Sequence, residues 1–322
     1  MHREAHDWAL VLAAGEGSRL RSLTTTSGGV PVPKQFCSLD GGPSLLQEAL
    51  QRAESVAPPA RVCTVVAAAH RAWWEAPLRV LPDENVIVQP MNRGTAVGIL
   101  LPLLHLARRD PLARVALLPS DHFVREEGVL AGTLRDAMAD AAEYSEDVLL
   151  LGMRPEEPDP ELGYVLPGTA DGTGLAPVAR FVEKPGLVDA RQLIARGAAW
   201  NSFIIVARLE ALLGLYERQF PEVVAVLNLA IERERAGAAG AVRELYSELP
   251  DIDFSRHLLS GQERFLKLVN VPACGWSDLG TPHRVADALR RFGRHAPRTP
   301  VAHAPLAILN LAAQHRQLQL AG

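Results

Sequence analysis

The feature that most constrains this chain lies near its start, where an apolar run gives way to a glycine-bearing turn and two cations. Residues 8–13 are short and nearly all apolar, the pattern of a strand buried on both faces of a parallel sheet. The run stops at Ala14-Gly15-Glu16-Gly17-Ser18-Arg19. Small residues there let the backbone approach a ligand, and successive N–H groups form an anion-binding nest. Lys34 arrives after Pro31 and Pro33, which stiffen its approach. Two cations beside a nest, just past a strand end, describe a site for a polyphosphate. The turn fits neither phosphate motif of fixed grammar. Leu20 stands where the dinucleotide motif has its third glycine, and no Gly-Lys-Ser/Thr follows.

The pattern beyond it alternates. Strands are expected at residues 61–69, 86–88, 115–118, 148–151, 178–182 and 267–271, and helices at 44–56, 95–107, 128–144, 188–195, 210–235 and 243–249. The order up to residue 151 predicts a doubly wound α/β sheet, with 115–118 as its central strand. Trp73 and Trp74 read as a cap on the hydrophobic core. Gln89 ends the third strand and carries both a donor and an acceptor, which reading a nucleobase edge requires. The helix expected from Thr95 points its N-terminus at whatever occupies the strand ends. Asp121 follows the 115–118 run, at the carboxyl end of a strand, where such sheets place their chemistry.

Bulk properties narrow the class. At 48% hydrophobic and 22% charged residues, the chain reads as a soluble globular protein. A net charge of -4 argues against a nucleic-acid-binding surface. No apolar run is long enough for a membrane span, and the polar N-terminus has no signal-peptide core. Three scattered cysteines without metal-ligand spacing suit a reducing cytoplasm.

The phrase V-L-A-A-G-E-G-S-R-L followed by P-V-P-K-Q-F resembles the signature of sugar-1-phosphate nucleotidyltransferases, and within them the mannose-1-phosphate guanylyltransferase branch. The resemblance continues through Q-P-x-x-R-G-T-A at 89–96, P-S-D-H at 119–122, E-x-G-Y at 161–164, E-K-P at 183–185, W-N-S at 200–202 and W-x-D-x-G at 276–280. It implies a Rossmann-like doubly wound mixed sheet forming one catalytic domain over residues 1–290. Residues 1–152 would be its nucleotide-binding part and 153–290 its sugar-phosphate-binding part. Residues 291–322 are expected to be a linker and a C-terminal helix at 307–320, in place of a further isomerase domain.

The same resemblance implies the site. Ala13, Ala14, Gly15, Gly17 and Ser18 would wrap the nucleotide, with Gln89, Arg93, Gly94 and Thr95 at the base. Gly163, Tyr164, Glu183, Lys184, Asn201 and Asp253 would meet the sugar phosphate, Gly163 and Tyr164 from a proline-rich loop at 153–167. Arg19, Lys34 and Asp121 would be catalytic, and Asp121 with Asp278 would hold Mg2+. The implied reaction joins a sugar-phosphate oxygen to the α-phosphorus of a nucleoside triphosphate, GTP by preference, and expels pyrophosphate. The acceptor is already ionised, so positioning and electrostatics must carry the rate. The implied location is cytoplasmic, and a homo-oligomer is left open.

Several positions depart from the pattern. Ala14 replaces a glycine, the 22–32 connector is longer than usual, Val165 replaces a second glycine, and Phe203 stands where the family has glycine. A ring at 203 takes up part of the sugar pocket, so mannose is not fixed by the resemblance. Another nucleotide or sugar phosphate is therefore one alternative. A second is a glycosyltransferase using Asp251 and Asp253, against which Arg19, Lys34 and Asp121 count. A third is a non-catalytic nucleotide-sugar-binding regulator, which would be expected to lack one of the metal or phosphate residues.

Overall fold

A computed structural model describes residues 6–292 apart from Ser27, Ser145 and residues 170–174. The helix expected at 307–320, and the linker before it beyond residue 292, lie outside the described residues.

The opening apolar run forms strand β1, Asp7–Ala13. Alternate side chains point to opposite faces of a strand, and here Ala9, Val11 and Ala13 enter one core while Trp8 and Leu10 enter another. The other strands are β2 (Val62–Ala67), β3 (Val86–Gln89), β4 (Arg114–Pro119), β5 (Val148–Met153), β6 (Tyr164–Pro167), β7 (Ala176–Val182), β8 (Ala199–Arg208) and β9 (Leu266–Val271). They form one sheet in the order β3-β2-β1-β4-β8-β5-β9-β7-β6, with β6 also pairing β8. Strands β1 to β4 run parallel, whereas β8 is antiparallel to both β4 and β5. The sheet is thus mixed and doubly wound, as expected. Its middle strand is β8 and not the 115–118 run, because the chain returns between β4 and β5 after residue 198.

Helices cover both faces. They are α1 (Arg21–Thr24), α2 (Leu45–Ala53), α3 (Arg71–Trp74), α4 (Gly94–Arg109), α5 (Glu127–Glu143), α6 (Leu187–Ala195), α7 (Leu209–Gln219), α8 (Pro221–Arg235), α9 (Ala241–Glu248) and α10 (Pro282–Phe292). The start of α2 is a reciprocal capping box: Ser44 accepts from the Gln47 N–H, and the Gln47 side chain accepts from the Ser44 N–H. Helices α2, α5 and α6 pack on one face of the sheet, through Leu46, Leu134 and Leu193. Helices α4, α7 and α8 pack on the other through Leu100, Leu212 and Leu227. Trp74 is buried in the first of these cores, as the sequence suggested. Among the described residues no helix is long and apolar enough to cross a membrane.

This winding brings the carboxyl ends of β1, β3, β4, β5 and β9 and the amino end of β8 to one edge. Beside β1 the chain turns first to β2 and β3 and then to β4 on its other side, the switch point at which open α/β sheets bind ligands.

Candidate active site

At that edge lies a cleft of about 790 Å³, lined by the turn after β1, the 89–98 turn, the loop after β4 and the segments that carry Glu183, Asn201, Asp253 and Asp278. The turn after β1 is pinned from behind. The Gln35 amide donates to the carbonyls of Ala13 (3.1 Å) and Gly15 (2.8 Å). Gly17 has φ 61°, and a Cβ on it would lie 2.8 Å from the Lys34 backbone nitrogen, so only glycine lets the two segments come this close. Ala14, Gly15, Gly17 and Arg19 line the cleft. Ala13 is buried, and Ser18 is exposed at the start of a 3-10 turn outside the cleft wall.

Gln89, Gly94 and Thr95 line the opposite wall. Gln89 is buried, and its Oε1 has no hydrogen-bond partner. An amide oxygen buried without a partner, on a residue that lines the cleft, is an unmet hydrogen-bond acceptor. The turn is braced by the 252–254 segment: Ala96 N–H donates to Ile252 O (2.9 Å), and Phe254 N–H donates to Thr95 Oγ1 (2.8 Å). Arg93 is a correction. Its guanidinium donates to the carbonyls of Tyr246 (2.6 Å) and Ser247 (2.7 Å) at the end of α9, so it clamps that helix and lies off the cleft wall.

Asp121 and Asp278 sit on two loops stitched together by paired hydrogen bonds of 2.9 Å between Phe123 and Ser277. Lys34 fastens them further. Its Nζ lies 2.9 Å from Asp121 Oδ2 and donates to Asp278 O (2.7 Å) and Leu279 O (3.3 Å). All three ammonium protons are therefore used within the protein. The Lys34 side chain is only 7% exposed while that of Asp121 is 40% exposed. The lysine expected to face the triphosphate lies instead beneath the two loops, where it balances the charge of Asp121 and holds the Asp278 backbone. Burial pushes the Asp121 pKa up, but the Lys34 ammonium, the neighbouring His122 and the Lys34 hydrogen bond outweigh it and hold the carboxyl below its usual range. His122 is pushed down to about 4, chiefly by burial. Its Nδ1 lies 3.3 Å from the Trp276 indole N–H, and the two rings meet edge to face. A weakly basic imidazole held this way is a structural neighbour of Asp121.

The wall beyond is carboxylate-rich. Glu183, Lys184, Asn201, Phe203 and Asp253 line it, with Gly163 beneath. Burial and then the Asp253 charge raise the Glu183 pKa against the opposing charges of Lys184 and Arg256. Gly163 O accepts from the Asn201 N–H at 2.8 Å, joining the proline-rich loop to β8. Asp253 Oδ1 accepts the Arg256 N–H (2.8 Å), and the Asp253 N–H donates to His257 Nδ1 (3.0 Å). Tyr164 is a further correction. It is fully buried in β6, and among the described residues its hydroxyl bonds only to the backbone N–H and C=O of Asp159, so it shapes the loop from inside the core.

Two contacts escaped the sequence reading. Arg19 Nη1 lies 3.1 Å from Glu161 Oε2, an ion pair between cleft-lining residues on opposite loops. Arg284 reaches Asp278 and Asp159 together. Arg284 follows Asp278 by six residues in the first turn of α10, but Asp159 is 125 residues away, and no local pattern announces that meeting.

Comparison with known proteins bears on the family and the fold. The family model described as Nucleotidyl transferase matches residues 8–293. Mannose-1-phosphate guanylyltransferase ManC of Salmonella typhimurium is 31% identical over 331 residues, covering 94% of this chain and 62% of the relative. Xanthan biosynthesis protein XanB of Xanthomonas campestris is 30% identical over 293 residues, covering 88% and 60%. The chain spans about three-fifths of the length of these curated relatives. A solved structure from Thermus thermophilus, described as a mannose-1-phosphate geranyltransferase, superposes with a TM-score of 0.74 at 28% identity, covering 91% of this chain and 80% of that one.

Proposed function

Because the chain belongs to the nucleotidyl transferase family, we propose that it joins a nucleoside triphosphate to a sugar 1-phosphate, giving a nucleotide sugar and pyrophosphate. The observation that carries the reading is the shared floor of the cleft. Two aspartates on stitched loops stand over one buried lysine, between the nucleotide turn and the sugar wall.

The acceptor phosphate oxygen attacks the α-phosphorus, a new P–O bond forms, and the bond to the bridging oxygen of pyrophosphate breaks. The acceptor is ionised before it binds, so no protein base is needed. His122, with its pKa near 4, is a poor base in any case. What the residues must do is hold two polyanions together. Arg19 serves the triphosphate once that anion displaces Glu161, and exposed Lys184 serves the incoming phosphate. The carboxylates of Asp121 and Asp278 fit a magnesium ion, which favours hard oxygen ligands from few carboxylates completed by substrate. Asp121, held below the usual carboxylate range, is ionised at neutral pH as a ligand must be. Bound there, magnesium would offset phosphate charge.

The finer reading is GTP with mannose 1-phosphate in the cytoplasm. The choice of substrates is supported by the turn at 89–96, with its unpaired Gln89 acceptor, and by the name of the ManC relative. Pyrophosphate release with magnesium, across GTP, ATP, UTP, CTP and dTTP and several sugar 1-phosphates, tests both levels. We expect strongest turnover with GTP and mannose 1-phosphate, and a loss of at least about 100-fold in Asp121→Asn. Turnover with another pair keeps the reaction and changes the specificity. No release with any pair overturns the proposal.

A further inference from the structure

We propose that Arg284 is a positioning residue that orients the Asp278 carboxylate for a divalent cation and couples it to the loop before β6; this rests on the metal reading above. Arg284 Nη1 donates to Asp278 Oδ1 at 2.5 Å, and the Gly280 N–H donates to the same oxygen at 3.1 Å. Both donors fall on Oδ1. Among the described residues no donor is assigned to Oδ2, which leaves that oxygen as the acceptor open to a ligand. The backbone next to it is trimmed to match: a Cβ on Gly280 would lie 2.4 Å from Oδ2.

The other arm of the guanidinium donates to Asp159 Oδ2. Asp159 is itself immobilised. Its Oδ1 accepts the Glu161 N–H (2.8 Å), and its backbone is held on both sides by the hydroxyl of the fully buried Tyr164. One rigid chain of contacts therefore runs from the core of β6 through Asp159 and Arg284 to Asp278. It is also supported by α10, where Val285 and Ala288 pack with Leu20, Leu45 and Leu279 and anchor the helix that carries Arg284. The Arg284, Asp159 and Asp278 side chains are all 15% exposed or less. A planar fork is the cation that can bridge two carboxylates in fixed directions, which a lysine ammonium at one point cannot do. Without it the two aspartates repel, and Asp278 turns away from the orientation that keeps Oδ2 free.

The test is Mn2+ affinity, read from the electron paramagnetic resonance signal of free Mn2+, in the full chain and in Arg284→Met, Arg284→Lys, Asp159→Asn and Asp278→Asn. Partners that orient metal ligands typically carry 10–100-fold in metal affinity. We expect Arg284→Met to weaken Mn2+ about that much, with Arg284→Lys recovering only part. Asp159→Asn should weaken it by a smaller factor. In turnover, Arg284→Met should raise the KM for magnesium more than it lowers kcat at saturating magnesium, a split that a merely structural staple would not produce. Wild-type Mn2+ affinity in Arg284→Met, alongside loss in Asp278→Asn, would overturn the proposal and leave the metal reading standing. No Mn2+ binding by the unaltered protein would overturn both. Should Arg284→Met fail to fold, unchanged affinity in both Arg284→Lys and Asp159→Asn would overturn it equally.

Discussion

Phe203 has φ 59°, a left-handed backbone that a bulky side chain seldom adopts. Two features hold it there. Its N–H donates to Asn201 Oδ1 at 3.1 Å, and its ring meets Phe254 edge to face at 5.6 Å. The ring contact and the backbone strain can be separated by two substitutions. Phe203→Ala removes the ring but keeps a Cβ in the strained region, whereas Phe203→Gly removes both. The glycine variant should therefore be the more stable of the two by about 1 kcal/mol, reversing the usual order of those residues, as urea denaturation would read. At this scale the sequence was informative about residue type and silent about direction. Asp121, Asp278, Gln89 and Glu183 stand on the cleft wall where their motifs placed them. Lys34 and Arg93 belong to equally recognisable motifs, yet each turns from the cleft because the carbonyls that claim it lie in distant segments, and Tyr164 turns into the core to brace Asp159 five residues before it. A motif carries no record of the carbonyls at 246, 247 or 278 that a cation will meet.

Helix α9 shows the same limit in an element. It is eight residues long, too short to persist by local bonds alone. Arg93 satisfies carbonyls at its C-terminal end from the turn before α4, with charge-assisted hydrogen bonds to Tyr246 and Ser247. Arg93→Met should cost about 2 kcal/mol of stability. The KM for the nucleoside triphosphate should stay within about threefold of wild type, since the guanidinium does not face the cleft; a ten-fold rise or more would restore Arg93 to the base site. Elements with continuous apolar runs, β1, β2, β4 and β5, were legible because strands buried on both faces need no alternation. Strand β6 reads as loop in the sequence because it is four residues ending in proline beside a proline-rich stretch. Strand β8 was hidden beneath a motif: Trp200-Asn201-Ser202 opens it, and the apolar residues 204–207 continue it into the middle of the sheet. Strand order is written in pairings between remote segments, which periodicity does not encode.

At the scale of the whole molecule, the pH response of folding follows from histidines that the fold buries. His105 lies on α4, and its pKa is pushed down to about 4, first by burial and then by the charges of Arg108, Arg235 and Arg109. Arg108 and Arg109 share its helix, and Arg235 approaches from α8, which packs on the same core. His122 is pushed to a similar value beneath the cleft. In the unfolded chain such a group takes up its proton near its ordinary pKa of 6.5. Between that pH and about 4 the unfolded state holds more protons than the folded state. Stability is therefore full above pH 6.5, falls as the pH drops through this window, and levels off once both states are protonated near 4. For His105 alone the linkage relation gives a loss on the order of 2–3 kcal/mol across the window. His105→Gln removes that proton while His122 keeps its own, so the variant should lose less stability on acidification than the wild type. Guanidinium denaturation at pH 7.5, 6, 5 and 4.5 would read the difference. Parallel curves for the two proteins would show that His105 is protonated in the fold and that the arginines around α4 and α8 do not exclude its charge.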